Sequence, residues 1–149
     1  MASCQDTPCD HFESQNAKWF KIQQVGKKQG GGDWQQQDLS KSATFSFDIS
    51  ISNSFLTEVD GGVAPVTLPS NIAPGQYLIR HEIIALHLAN QKGGAEFYPS
   101  CAQLRIGGNG TSTPSANELV SLPGVYDDND PGIFVPNVSV FGFPIYLLP

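Results

Sequence analysis

His81 and His87 stand six residues apart in the run HEIIALH, and Glu96 and Tyr98 follow, two apart, beyond a glycine-broken turn. Paired histidines invite a zinc-protease reading, but that chemistry needs imidazoles four apart on one helical face. Six apart along a strand they share a face at about 20 Å, and six apart along a helix they point about 240° from each other, so neither conformation lets them hold one ion. His81, between Arg80 and Glu82 inside an apolar run, reads as a buried histidine hydrogen-bonded for packing. His87 falls near the end of a strand beside a loop, where side chains reach the rim of a sheet. Glu96 and Tyr98 share a face of the returning strand, and a hairpin brings that face alongside His87. An ionised carboxylate there accepts hydrogen bonds without donating, and it favours the protonated form of a nearby imidazole. The residue types alone leave other readings open: a structural His87, a Tyr98 half-buried beside Pro99, and a Glu96 that is a solvated surface carboxylate.

The elements that must position these residues are extended ones. Residues 76–89 read as a long strand, because Tyr, Ile and His are frequent and Pro74-Gly75 immediately precedes them. Residues 90–94, with Gly93 and Gly94, form the hairpin loop, and residues 96–107 return as the partner strand. Upstream, residues 18–25 (KWFKIQQV) read as a strand with Phe20 and Ile22 on one face and Trp19 and Lys21 on the other. Residues 44–52 alternate Phe45, Phe47, Ile49 and Ile51 with Ser46, Asp48, Ser50 and Ser52, one face buried and one wet. Residues 63–69 hold a short strand between prolines. Beyond residue 107 the chain reads as loop with short extended pieces, punctuated by Pro123-Gly124, the acidic residues 127–130 and Pro131-Gly132.

Bulk properties agree with β structure. The chain has 149 residues, enough for one domain of two packed layers, and there is no internal repeat or interdomain linker. With 15 Gly, 11 Pro and only 15% charged residues, turns and short extended segments dominate over salt-laced helices. A net charge of −6 with 8 Lys and Arg excludes nucleic acid, whose phosphates require a clustered basic surface; a neutral polymer fits better. No apolar stretch approaches the roughly 20 residues that cross a bilayer, and Met1-Ala2-Ser3-Cys4 is not an export leader. Asn109-Gly-Thr and Asn137-Val-Ser are glycosylation acceptors only in an exported chain. Of the three cysteines, Cys4 and Cys9 are close enough in a Pro8-containing loop to bridge, leaving Cys101 alone. Three buried reduced thiols are the alternative.

The run PGQYLIRHEIIALHLANQKGGAEFYPSC (residues 74–101) resembles the core signature of the auxiliary activity family 9 lytic polysaccharide monooxygenases, formerly glycoside hydrolase family 61. The strand WFKI (residues 19–22), the segment 68–77 with its APGQY, and the segment 122–133 with its PGVY and DPGI are similar to that family as well. Together they cover most of residues 1–133, while residues 35–64 and 134–149 fall outside the resemblance. It implies an all-β fold, an immunoglobulin- or fibronectin-like antiparallel β-sandwich with long loops, forming a single catalytic domain without a separate carbohydrate-binding module. It implies a secreted copper enzyme that oxidatively cleaves cellulose or a related β-glucan, using an external electron donor and acting as a monomer.

On this resemblance Tyr98 matches the family's axial tyrosine at the copper. His87 matches a histidine that lies outside the copper's own ligands and assists proton delivery. Glu96 stands where the family usually has glutamine, so a donor is replaced by an acceptor. Cys4 and Cys9 match a local disulfide of some members, and Cys101 matches half of a disulfide whose partner has no counterpart here. The family's copper is held by a brace of an N-terminal amino group and two imidazoles, which also has no counterpart in this chain. His11, after Cys9, reads as a loop residue rather than a relocated ligand. The expectation is an N-terminally truncated sandwich that binds no copper tightly and is inactive as it stands. A non-catalytic carbohydrate- or wall-binding sandwich is the alternative.

Overall fold

Residues 75–85 carry apolar side chains on both faces, and a strand can bury both only if it is flanked. In the computed structural model, which describes residues 1–26, 28–29, 54–59, 62–138 and 145–146, this segment is strand β4 (Gly75–Ala85). It pairs antiparallel with β1 (Ala2–Ser3), Ala2 opposite Leu78 and Ser3 opposite Tyr77. Its other neighbour is β5 (Glu96–Ile106), and β6 (Ile145–Tyr146) joins it antiparallel, Ile84 opposite Tyr146. A separate antiparallel pair consists of β2 (Ser54–Val59) and β3 (Gly62–Thr67), registered with Leu56 opposite Pro65.

The chain divides into two compact units. The first comprises Met1–Ile22, Leu68–His81 and Pro99–Val125. Its buried centre gathers Ala2, Cys4, Cys9, Ala17, Trp19 and Leu78, with Phe12, Val120 and Leu122 packed on it. Cys4 and Cys9 are joined by a disulfide there, whereas Cys101 is an exposed free thiol, so three buried reduced thiols are ruled out. The second unit comprises Gln23–Thr67, Glu82–Tyr98 and Tyr126–Pro149. Its centre is built on Ile84, Leu86, Ala89, Ile133 and Val138.

Several elements differ from the sequence expectation. The strand expected over residues 18–25 shrinks to bridges at Trp19, which exchanges backbone hydrogen bonds of 2.8 Å with Val120. Trp19 and Phe20 are both buried, so the alternating pattern fails at that point. The strand expected over residues 44–52 lies outside the described residues. β2 was not anticipated, and the short strand expected over residues 63–69 runs instead over Gly62–Thr67.

The long strand stops at Ala85, four residues short of its expected end, because residues 87–90 wind into turns. Ala89 N–H donates to the Leu86 carbonyl at 3.0 Å, Gln91 to Leu88 at 3.2 Å and Gly94 to Gln91 at 3.0 Å. Leu86 and Ala89 are wholly buried while Leu88 is 53% exposed, a spacing of three that the apparent alternation concealed. Two short 3-10 helices, Ser14–Asn16 and Ala116–Glu118, occupy segments read as loop, the second closed by a capping box between Ser115 and Glu118. Among the described residues no helix is long and apolar enough to cross a membrane.

Candidate functional site

The site is built by the end of one strand and the start of the next. The turns of residues 86–95 reverse the chain so that His87, two residues past β4, meets Glu96, the first residue of β5. Gly93 sits at φ +74, where a glycine carries no Cβ penalty. At Gly94 a Cβ would lie 1.9 Å from the Leu88 carbonyl oxygen, so only glycine lets the backbone close at that point.

His87 Nε2 lies 3.9 Å from Glu96 Oε1, with the two side chains 37% and 39% exposed. That distance is outside hydrogen-bond reach and within ion-pair range when the imidazole is protonated. The other carboxylate oxygen is engaged differently: the Tyr98 hydroxyl donates to Glu96 Oε2 at 2.5 Å. Glu96 is therefore the hinge of the cluster, one oxygen toward the imidazole and the other holding the phenol. The hydrogen bond to Glu96, reinforced by the carboxylate's charge, raises the Tyr98 phenol above its ordinary pKa, so the hydroxyl keeps its proton. Tyr98 is itself 56% exposed and the hairpin places it as the sequence expected, so the half-buried reading is not what the structure shows.

The other candidates are placed as follows. His11 lies on the surface of the first unit, its side chain 75% exposed and 3.6 Å from Asp10. His81 is only partly buried, and the buried polar residue of the run is its neighbour Glu82, 8% exposed, which corrects the expectation of a buried His81. Glu82 accepts a hydrogen bond from the Tyr126 hydroxyl, and the Tyr126 ring stacks on Phe97 between the two site residues. Sequence reasoning missed all three. The available signals were a glutamate inside an apolar run and the tyrosine of the PGVY segment.

As metal donors these residues are one imidazole, one carboxylate and one protonated phenol. Copper is held best by several nitrogen ligands, and a phenol that donates its proton to a carboxylate is a weak ligand, so the trio does not fit a complete copper site. Among the described residues no group of three or more His, Cys, Asp and Glu could hold a metal ion.

Comparison with known proteins gives this geometry a context. The model of Auxiliary Activity family 9, formerly GH61, matches residues 1–141. The chain is similar to AA9 family lytic polysaccharide monooxygenase D of Gloeophyllum trabeum, 53% identical over 138 residues, which are 93% of this chain and 34% of that protein. Among solved structures it is similar to the extended catalytic domain of H. jecorina LPMO9A, with 34% identity and a TM-score of 0.67 over 90% of this chain and 46% of that one. It is also similar to a cellulose-active polysaccharide monooxygenase from M. thermophila, with 29% identity and a TM-score of 0.65 over 89% of this chain and 53% of that one. The chain thus spans about a third of the Gloeophyllum protein and about half of each solved chain. The all-β, antiparallel sandwich class expected from the sequence is the fold of these relatives. A match over nearly the whole chain, which takes in His87, Glu96 and Tyr98, places this protein in auxiliary activity family 9, the lytic polysaccharide monooxygenases.

Proposed function

We propose that this chain carries the hydrogen-bonding part of a polysaccharide-oxidising site, His87, Glu96 and Tyr98, and that the 149-residue polypeptide does not by itself oxidise its glucan. The observation that supports the reading is the convergence of those three side chains at the β4–β5 turn, 3.9 Å from imidazole to carboxylate and 2.5 Å from phenol to carboxylate. Bound copper supplies the family's oxidative chemistry. What these residues do is orient polar atoms: the Tyr98 hydroxyl donates to Glu96 Oε2, and His87 Nε2 faces Glu96 Oε1. Inactivity follows from donor count, since the sequence has three histidines and His87 is the only imidazole in this cluster.

Cellulose is the substrate we infer, because the similar M. thermophila enzyme is described as cellulose-active. Secretion, an external electron donor and a monomeric state belong to the same reading. The test is an assay for oxidised cello-oligosaccharides by mass spectrometry, with the purified chain, copper, a reductant and cellulose. No oxidised product is expected from this chain, while the Gloeophyllum trabeum relative serves as the positive control; products at comparable yield would overturn the inactivity.

A second reading is favoured by a specific surface feature. Among the described residues the large exposed hydrophobics are Leu88, Phe97 and Tyr98, respectively 53%, 37% and 56% exposed, all in the unit that carries the candidate site, with Phe97 and Tyr98 on opposite faces of β5. Such side chains suit non-catalytic contact with a sugar polymer. Retention on cellulose that is indifferent to copper, and lost in Tyr98→Ala, supports that reading.

A further inference from the structure

Phe97 lies between Glu96 and Tyr98, and strand geometry sends its side chain to the opposite face from theirs. On that face its ring stacks on Tyr126, with centroids 4.9 Å apart and planes 19° from parallel. Tyr126 is fixed at its far end as well, because its hydroxyl donates to Oε2 of the buried Glu82 on β4. A buried carboxylate is stabilised by such a donor. The body of Tyr126 packs against the centre formed by Ile84, Leu86, Ala89, Ile133 and Val138.

The chain that follows Tyr126 is also tied to the loop carrying His87. Val135 N–H donates to the Ala89 carbonyl at 2.8 Å. The Lys92 ammonium donates to Asn129 Oδ1 and lies 6.0 Å from the centroid of the Phe134 ring. By contrast, the Glu96–Tyr98 pair is exposed, and one hydrogen bond between mobile side chains survives in water only where the backbone beneath it is already ordered.

We propose that Tyr126 is a positioning residue for the Glu96–Tyr98 pair, acting through the stacked ring of Phe97. What the pair is for rests on the function proposed above, but the positioning does not. The Phe97 ring is clamped from below, the first residues of β5 cannot roll, and Glu96 and Tyr98 are left facing each other on the opposite side. Removing the Tyr126 ring frees the start of β5 and separates the phenol from the carboxylate.

The test is nuclear magnetic resonance of the full chain labelled with ¹³C at tyrosine Cζ, at neutral pH. The Tyr98 resonance is assigned by its loss in Tyr98→Phe, and Glu96→Ala supplies its position when the hydrogen bond is absent. Tyr126→Leu is expected to move the Tyr98 resonance most of the way to the Glu96→Ala position. Tyr126→Phe, which keeps the stacked ring but loses the hydroxyl that donates to Glu82, is expected to move it less than Tyr126→Leu does. A purely structural role would lower the melting temperature without moving Tyr98, so a folded Tyr126→Leu with an unmoved Tyr98 resonance overturns the proposal. If Tyr126→Leu does not fold, Phe97→Leu decides in the same way, a displaced resonance supporting the proposal and an unmoved one overturning it. The readout uses neither copper nor activity, so this inference and the proposed function can fail separately.

Discussion

At the scale of single residues, Glu96 joins the candidate site together. Its Oε1 faces His87 at 3.9 Å and its Oε2 accepts from Tyr98 at 2.5 Å, so one substitution addresses both neighbours. Glu96→Gln removes the negative charge and leaves an amide oxygen that can still accept from the phenol. The Tyr98 titration is then expected to fall toward the ordinary tyrosine value, read as tyrosinate absorbance against a Tyr98→Phe control. An unchanged titration would show that the carboxylate's charge and hydrogen bond are not its cause. The sign for stability follows from a raised phenol pKa: the contribution is present at neutral pH and is lost as pH rises through the Tyr98 titration. That His87, Glu96 and Tyr98 meet was legible in the sequence, because a glycine-broken turn between two extended runs brings them together. Tyr126 and Glu82 were not, because their contact joins residues 44 apart, and no local pattern encodes such a pair.

At the scale of elements, the turn of residues 86–95 sets the geometry by which His87 meets Glu96. Gly94→Ala would put a methyl carbon 1.9 Å from the Leu88 carbonyl oxygen, which only a backbone shift can relieve. A destabilisation of about 2 kcal/mol or more is expected, measured by denaturant unfolding, together with loss of the His87–Glu96 approach. A neutral effect would mean the turn has room that the structure does not show. The capping box at Ala116–Glu118 offers a pH test. Hydrogen bonds from the Ser115 hydroxyl and then the Ser115 backbone N–H hold the Glu118 carboxyl below the usual glutamate range. Its stabilisation is therefore present above that range and lost as pH falls through the lowered value. The melting-temperature gap between the parent chain and Glu118→Gln should narrow on acidification; a gap independent of pH would contradict the cap. These elements also show why boundaries were harder to read than strands. Residues 86–89 look alternating, but Leu86 and Ala89 are the buried pair, so the period had already changed from two to three before any glycine marked it. The capping box, by contrast, is written in the sequence as Ser-Ala-Asn-Glu, within prolines and glycines that favour loop.

At the scale of the whole molecule, the family is established by a match over residues 1–141, while the chain spans about a third of the Gloeophyllum trabeum protein it resembles. The antiparallel β class was legible because turns are frequent, charge is sparse and residues 75–85 are apolar on both faces. The division into two compact units was not, since each unit is assembled from three separated stretches of chain. The role proposed for His87, Glu96 and Tyr98 is to form the hydrogen-bonded side of a copper site to which they bring one imidazole, one carboxylate and one phenol. Copper titration by calorimetry tests it most directly. A dissociation constant weaker than about 1 μM is expected of a single imidazole with a carboxylate and a phenol. Nanomolar binding of one copper ion, lost in His87→Ala, would contradict it.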